Sequence, residues 1–202
     1  MSYSQTELSE LVCTRISHDL IGNIGALSGA LELIRENGDV LDSDTLQIIA
    51  TATNTLKARQ KFFRLAFGMD NSLVEMPELI EICKDYLTTV GNRNAAIELQ
   101  TAGVTANLAK ILCLSVMTAA EVCIKGGHIN VSVNKHNLQI TLKSDYKLAA
   151  NKLTAYHQIL NNQKPDENIS QYVQLIYLRT LIGEDVAMKI ESTETSMTIT
   201  VG

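Results

Sequence analysis

The sequence predicts an α+β protein in two parts: an N-terminal antiparallel helical hairpin over residues 1–70 and an α/β sandwich over 71–202. Three observations carry that prediction. Apolar residues recur at three-four spacing through two long segments, Gln5–Asn37 and Ser43–Phe67, separated by a short break at Asn37-Gly38. The pattern then changes near Gly68-Met69-Asp70-Asn71-Ser72, which reads as a linker. Beyond it, short helical segments are interspersed with stretches of two-residue alternation, the mark of half-buried strands.

In the first helix, Val12, Cys13, Ile16, Leu20, Ile24, Leu27, Leu31 and Ile34 gather on one side and form the expected core stripe. Asn37-Gly38 is a C-terminal stop. Ser43 or Asp44 is the expected cap of the second helix, whose buried face holds Leu46, Ile49, Ala50, Thr53, Leu56, Phe63 and Phe67. Two such helices joined by a short turn cannot cover both apolar stripes alone. Pairing two hairpins into a four-helix bundle, as a homodimer, is the simplest remedy.

After the linker a short extended piece, Leu73-Val74-Glu75, leads into a helix over Pro77–Val90, with proline in the first turn. "AAIELQT" reads as a strand, and "NLAKILCLSVMTAAEVCI" as a buried helix ended by Gly126-Gly127. "HINVSVNKHNLQITLKS" alternates on both sides of Lys135-His136-Asn137 and predicts a hairpin. A helix over Leu148–Leu160, a polar loop with Pro165, a helix over Ser170–Ile182 and the strands "VAMKIES" and "SMTITV" complete the order. Helices and hairpins segregated in this way imply a mixed or antiparallel sheet.

Composition removes several function classes. The chain of 202 residues carries a net charge of -5, which gives nucleic acid or an anionic membrane no electrostatic hold. No apolar run reaches the roughly 18 residues of a membrane span. The polar, acidic start MSYSQTELSE resembles neither a signal nor a transit peptide, so a cytoplasmic protein is expected. Cys13, Cys83, Cys113 and Cys123 are scattered and expected to be buried, reduced thiols. His18, His128, His136 and His157 form no cluster with metal-ligand spacing.

One stretch of the first helix is costly. At about 100° per residue, His18 falls opposite the core stripe. Gly22, Gly25 and Gly29 follow it at four, seven and eleven positions, on the same face. Each glycine inside a helix costs about 1 kcal/mol relative to alanine. Two readings fit: the glycines allow close helix packing beside an ordinary surface histidine, or they keep the face low so that another protein can reach His18. In the second, a neutral imidazole is the nucleophile, and Asp19 accepts a hydrogen bond from its other nitrogen and sets the tautomer.

"RISHDLIGNIGALSGALELI", Arg15 to Ile34, resembles the phosphoacceptor box of two-component histidine kinases, and most closely that of the ChpT-type histidine phosphotransferases of alphaproteobacteria. The resemblance implies a dimeric four-helix bundle with His18-Asp19-Leu20 midway along its first helix, followed by a degenerate kinase-type ATPase domain. It implies that His18 takes a phosphoryl group from the receiver aspartate of a hybrid histidine kinase and passes it to response-regulator receiver domains. No cofactor is expected on this chain, and Mg²⁺ is expected on the receiver. In working domains of the kinase type an Asn on the long helix holds magnesium, where Thr118 stands here. Asp145 keeps the carboxylate of the expected phosphate loop without the glycines that follow it, and only Gly183 stands near the lid position. ATP-dependent autophosphorylation is therefore not expected.

Lys57, Lys61 and Arg64 line one face of the second helix near the level of His18, where an antiparallel hairpin puts residue 62 opposite, and Arg15 lies one turn before it. They are either solvated charge or a dock for the acidic pocket of a receiver. Kinases that dephosphorylate receivers often carry Thr or Asn four residues after the histidine. Gly22 stands there, with Asn23 one place on, which argues against phosphatase action. A non-catalytic dimeric interaction or inhibitor protein explains the lost nucleotide site equally well. A metal-dependent hydrolase lacks the further histidines and aspartates it needs.

Overall fold

In a computed structural model, the structure describes residues 3–38, 40–68, 74–90, 97–102, 108–134, 137–165, 168–183 and 185–202. Most of the expected linker, the Lys135-His136 part of the hairpin turn and the start of "AAIELQT" lie outside these residues. The expected boundary between residues 70 and 71 lies outside them too.

Helix α1 spans Gln5–Glu36 and α2 spans Ser43–Phe67. Ser4 and Glu7 close a capping box at the start of α1, each satisfying a backbone N–H of the other. The α2 cap is Asp42, not Ser43 or Asp44: its extended backbone lets the carboxylate accept from the Thr45 N–H at 2.7 Å. The two helices pack together as an antiparallel hairpin, with the small residues Ala30 and Ala52 buried.

The expected core stripe of α1 is only partly covered. The buried residues of α1 are Leu8, Arg15 and Ala30, none of them in that stripe, whereas Cys13, Ile24 and Leu31 are exposed and Val12, Ile16, Leu20, Leu27 and Ile34 half-buried. On α2, Leu46 and Ala50 are exposed, while Phe63 is buried. The apolar pattern is real, but one hairpin offers each helix a single neighbour. Burial is concentrated at the open end of the hairpin, where the second half of the chain meets it.

That half contributes α3 (Met76–Thr88), β1 (Ile97–Ala102), α4 (Ala109–Val122), β2 (Gly127–Asn134), β3 (Asn137–Lys143), α5 (Ala150–Leu160), α6 (Val173–Ile182), β4 (Met188–Ser192) and β5 (Ser196–Val201). The helix expected from Ser170 begins as a 3-10 turn, Ile169–Tyr172, capped by Asn168. The sheet is mixed, in the order β1-β2-β3-β5-β4, with β1 parallel to β2 and the other pairs antiparallel. Ile129, Val131, Leu138, Ile140, Leu142, Met197 and Ile199 point inward, alternating with polar outward residues.

Helix α4 is the centre of the core, buried from Leu112 through Ala120. The foot of α2 joins the same core. Phe62 stacks on Tyr86 of α3 with centroids 3.7 Å apart, Phe63 meets Tyr86 edge-on, and Phe67 packs against Tyr177 of α6. The hairpin is thus rooted in the α+β half through aromatic rings. Cys83 and Cys113 face each other in this core, and Cys123 is also buried; Cys13 corrects the expectation of buried thiols by lying on the exposed surface of α1. Among the described residues, no helix is long and apolar enough to cross a membrane.

Candidate active site

His18 stands midway along α1 with its side chain 82% exposed. Its Nδ1 lies 3.2 Å from Oδ1 of Asp19. A carboxylate can only accept, so this contact favours the tautomer with the proton on Nδ1 and leaves the Nε2 lone pair facing solvent. The other Asp19 oxygen accepts from Nε of Arg15 at 2.8 Å. Arg15, four residues before Asp19, lies on the same side of the helix.

Arg15 corrects an expectation. It is not an exposed docking charge: its side chain is 9% exposed and all three guanidinium nitrogens are engaged. Besides Asp19, Nη1 donates to the Gln171 carbonyl at 2.9 Å and Nη2 donates to Oε1 of Glu121 on α4. The other Glu121 oxygen accepts from Nζ of Lys152 on α5. The physical reason is the helix wheel. Three positions before His18 lie only about 60° around the axis, on the flank turned toward α4 and the 3-10 turn.

Glu121 and Arg15 each favour the charged form of the other. Burial pushes the Glu121 carboxyl up, but Arg15 and Lys152 outweigh it and leave it below the ordinary carboxylate value. Burial works against the charge on Arg15, and Glu121 and Asp19 more than reverse it, so its pKa is raised.

Three further residues at the site were not singled out by sequence reasoning: Arg59, Glu121 and Lys152. Arg59 of α2 donates through Nη1 to the backbone carbonyl of Asp19, and through Nε and Nη2 to the side chain and carbonyl of Thr89, at 3.2 and 2.8 Å. It sets the level of α2 opposite His18 and Asp19 at residue 59, close to the expected 62. Glu121 did carry a signal. It is the only charge between Lys110 and Lys125 in an otherwise apolar helical run, and such a residue needs a partner.

A Cβ built on Gly22, Gly25 or Gly29 meets nothing within 4 Å. Close packing within this chain therefore does not require these glycines, and the strip beside His18 is open. Lys57, Lys61 and Arg64 are exposed on α2. Lys57 and Lys61 border a shallow cleft of about 390 Å³ shared with Asp85, Thr88 and Thr89 of the α3 end.

Where the resemblance places a magnesium-binding Asn, Thr118 is fully buried, and its hydroxyl donates to the Leu114 carbonyl. The Thr118 carbonyl accepts from the Tyr156 hydroxyl at 3.0 Å, and the Tyr156 ring meets Tyr172 edge-on. Packed aromatic side chains thus occupy this part of the domain. Asp145 is exposed in the loop after β3, and Gly183 ends α6 in the left-handed region with φ 80°. Among the described residues, no group of three or more His, Cys, Asp or Glu is placed to hold a metal ion.

No family model matches the chain. Protein phosphotransferase ChpT of Brucella abortus (strain 2308) is 26% identical in an alignment 201 positions long, gaps included, that covers 94% of this chain and 91% of that protein. A solved structure of a bacterial phosphotransferase superposes over 100% of this chain and 98% of its own, with TM-score 0.80 and 24% identity. The histidine kinase AdeS of Acinetobacter baumannii aligns over 91% of this chain and 95% of its own at TM-score 0.43 and 11% identity. The likeness to a ChpT phosphotransferase carried by Arg15 to Ile34 thus extends in sequence over 94% of the chain, and the fold is shared over its full length with a bacterial phosphotransferase.

Proposed function

We propose that this chain is a phosphorelay histidine phosphotransferase, with His18 as the phosphoacceptor and Asp19 as its orienting partner. The observation that carries the reading is the imidazole itself: nearly fully exposed, its Nδ1 engaged by a carboxylate, its Nε2 open beside a strip with no side chains. The Nε2 lone pair attacks phosphorus of an aspartyl phosphate on a receiver domain. The P–O bond breaks, and the electron pair leaves with the receiver carboxylate. The ring keeps its Nδ1 proton and becomes cationic, and Asp19 stabilises that charge. In the second half, an aspartate oxygen of another receiver attacks the same phosphorus, and the P–N bond returns its electron pair to Nε2. No proton need leave the ring in either direction.

The donor is a hybrid kinase receiver domain and the acceptors are response-regulator receivers in the cytoplasm. Mg²⁺ on the receiver neutralises charge on the transferring group, and this chain supplies nucleophile and position. The filled interior around Thr118 and Tyr156 supports transfer without ATP. Gly22, Gly25 and Gly29 with Lys57, Lys61 and Arg64 form the receiver's landing face. A second copy of the chain covers the exposed aliphatic residues of the hairpin, among them Ile21, Ile24, Leu31 and Leu46, to complete a four-helix bundle. Residues 1–70 form the dimerisation and transfer unit, and 71–202 form the kinase-type domain that braces it.

The test is incubation with a phosphorylated receiver. Wild type acquires acid-labile phosphate and passes it on, and His18→Ala acquires none. Labelling that persists in His18→Ala would remove the assignment, and an unlabelled wild type would leave a non-catalytic interaction protein.

A further inference from the structure

The α+β half does more than bury the foot of the hairpin: it reaches the phosphoacceptor through a chain of side chains. We propose that Glu121 of α4 is a positioning residue for His18, acting through Arg15 and Asp19. The inference deepens the phosphotransfer reading and rests on it for the identity of the nucleophile.

The geometry is continuous. His18 Nδ1 meets one oxygen of Asp19, the other Asp19 oxygen accepts from Arg15 Nε, and Arg15 Nη2 donates to Glu121. Asp19 and Glu121 are 13% and 11% exposed, so water competes little for either carboxylate. Arg15 and Asp19 alone would be an ordinary pair one turn apart on a helix, free to exchange rotamers. Glu121 and the Gln171 carbonyl pin the remaining edges of the guanidinium from a different part of the fold. A planar guanidinium held at three nitrogens has one orientation, and that orientation presents Nε to Asp19. Asp19 is then held where it must be to accept from Nδ1.

The consequence is a choice of tautomer. With Asp19 held, the ring proton stays on Nδ1 and the nucleophilic pair stays on Nε2. When the carboxylate wanders, the ring drifts toward the form an unconstrained histidine side chain prefers, with the proton on Nε2. That form offers the receiver an N–H where a lone pair is needed. Glu121 touches neither phosphate nor receiver in this scheme, and its effect arrives entirely through the ring.

The experiment uses full-length protein labelled with ¹⁵N at histidine. Imidazole nitrogen shifts of His18 are read in wild type, Glu121→Gln, and Lys110→Met as a control. Glu121→Gln keeps shape and removes charge. Lys110→Met breaks a different tie between the halves, the Lys110 bond to the Gly68 carbonyl, away from His18. Wild type is expected to carry the Nδ1–H form, Glu121→Gln to move toward the Nε2–H form, and Lys110→Met to match wild type. Transfer from a saturating phosphorylated receiver should slow about tenfold in Glu121→Gln with the half-saturating concentration unchanged, as expected when a charge-assisted hydrogen bond is lost in positioning alone.

A wild-type His18 already in the Nε2–H form overturns the proposal, even if Glu121→Gln fails to fold. So does a folded Glu121→Gln with wild-type shifts, or a Lys110→Met that moves the tautomer equally. The NMR readout needs no phosphate, so a failed phosphotransfer assignment, seen as labelling of His18→Ala, is distinguishable from a failed positioning role.

Discussion

Arg15 of α1 and Glu121 of α4 form an ion pair buried where the helical hairpin meets the α+β half, and each carries a second partner, Asp19 and Lys152. Four charges therefore share one poorly solvated spot, alternating in sign. Such a cluster contributes little net stability compared with apolar packing, but breaking it is costly because the survivors stay buried.

Arg15→Met leaves Asp19 and Glu121 facing each other without the cation between them. The expected loss of stability is about 3–5 kcal/mol, read as a lowered urea midpoint. Lys57→Glu, on the exposed face of α2, should change the midpoint by less than about 0.5 kcal/mol. Equal midpoints for the two variants would show that the buried network does not brace the halves.

The same cluster makes stability depend on pH in a predictable direction. Glu121 titrates below its ordinary value in the folded protein, because Arg15 and Lys152 outweigh the effect of burial. The unfolded chain therefore binds the proton first as pH falls. The contribution of Glu121 is fully present above the unfolded carboxylate value of about 4.3 and is lost as pH drops through the lower folded value. Urea midpoints measured downward from pH 6 should fall more steeply for wild type than for Glu121→Gln. Parallel curves would assign the acid sensitivity to other carboxylates.

How much of this was legible beforehand follows from what each residue's neighbours are. The helices and strands were readable because their apolar periods are long, and His18 with its glycines was readable because one helix wheel contains them all. The burial of Arg15 is hidden for the same reason: a wheel shows which way a residue points, not what has packed there. Its partners, Glu121 and Gln171, are 106 and 156 positions away in the chain. The α1 stripe read as core because periodicity records that a face is apolar without saying whether this chain or another covers it. The cap of α2 slipped by one residue because Asp42, Ser43 and Asp44 are all competent caps, and backbone geometry alone chose among them.

That uncovered stripe makes a prediction of its own. Ile24 and Leu31 are exposed on α1 although they continue its apolar period. Ile24→Glu with Leu31→Glu should leave the fold of a single chain intact, since neither side chain is buried within it. The pair should shift the sedimenting species from dimer to monomer. A wild-type monomer at micromolar concentration would leave the stripe without the occupant assigned to it.

The charges on α2 are tested by salt. If Lys61 and Arg64 draw in an acidic receiver surface, reversing both slows association at low salt by about tenfold and flattens its dependence on ionic strength. Transfer rates at subsaturating receiver, measured across salt concentrations on either side of physiological, distinguish this from ordinary surface charge. Unchanged rate and slope would return both residues to the solvated face.

Gly25 separates stability from function most sharply. A Cβ at this position meets nothing within 4 Å, and the backbone there is ordinary helix. Gly25→Ala should therefore stabilise the chain by about 1 kcal/mol, the helix-propensity difference between the two residues. Gly25→Leu starts from the same open Cβ position, yet raises a branched side chain two turns beyond His18 on the same face. If a receiver lies along that face, the leucine holds it off, and transfer should fall by at least about tenfold while the urea midpoint stays at or above wild type. The loss should appear as weaker half-saturation as well as a lower maximal rate, because both docking and alignment depend on the low strip. Transfer at the wild-type rate in a stabilised Gly25→Leu would show that the glycines serve something other than the receiver. A drop in both stability and transfer would show that the position is packed against a second copy of the chain.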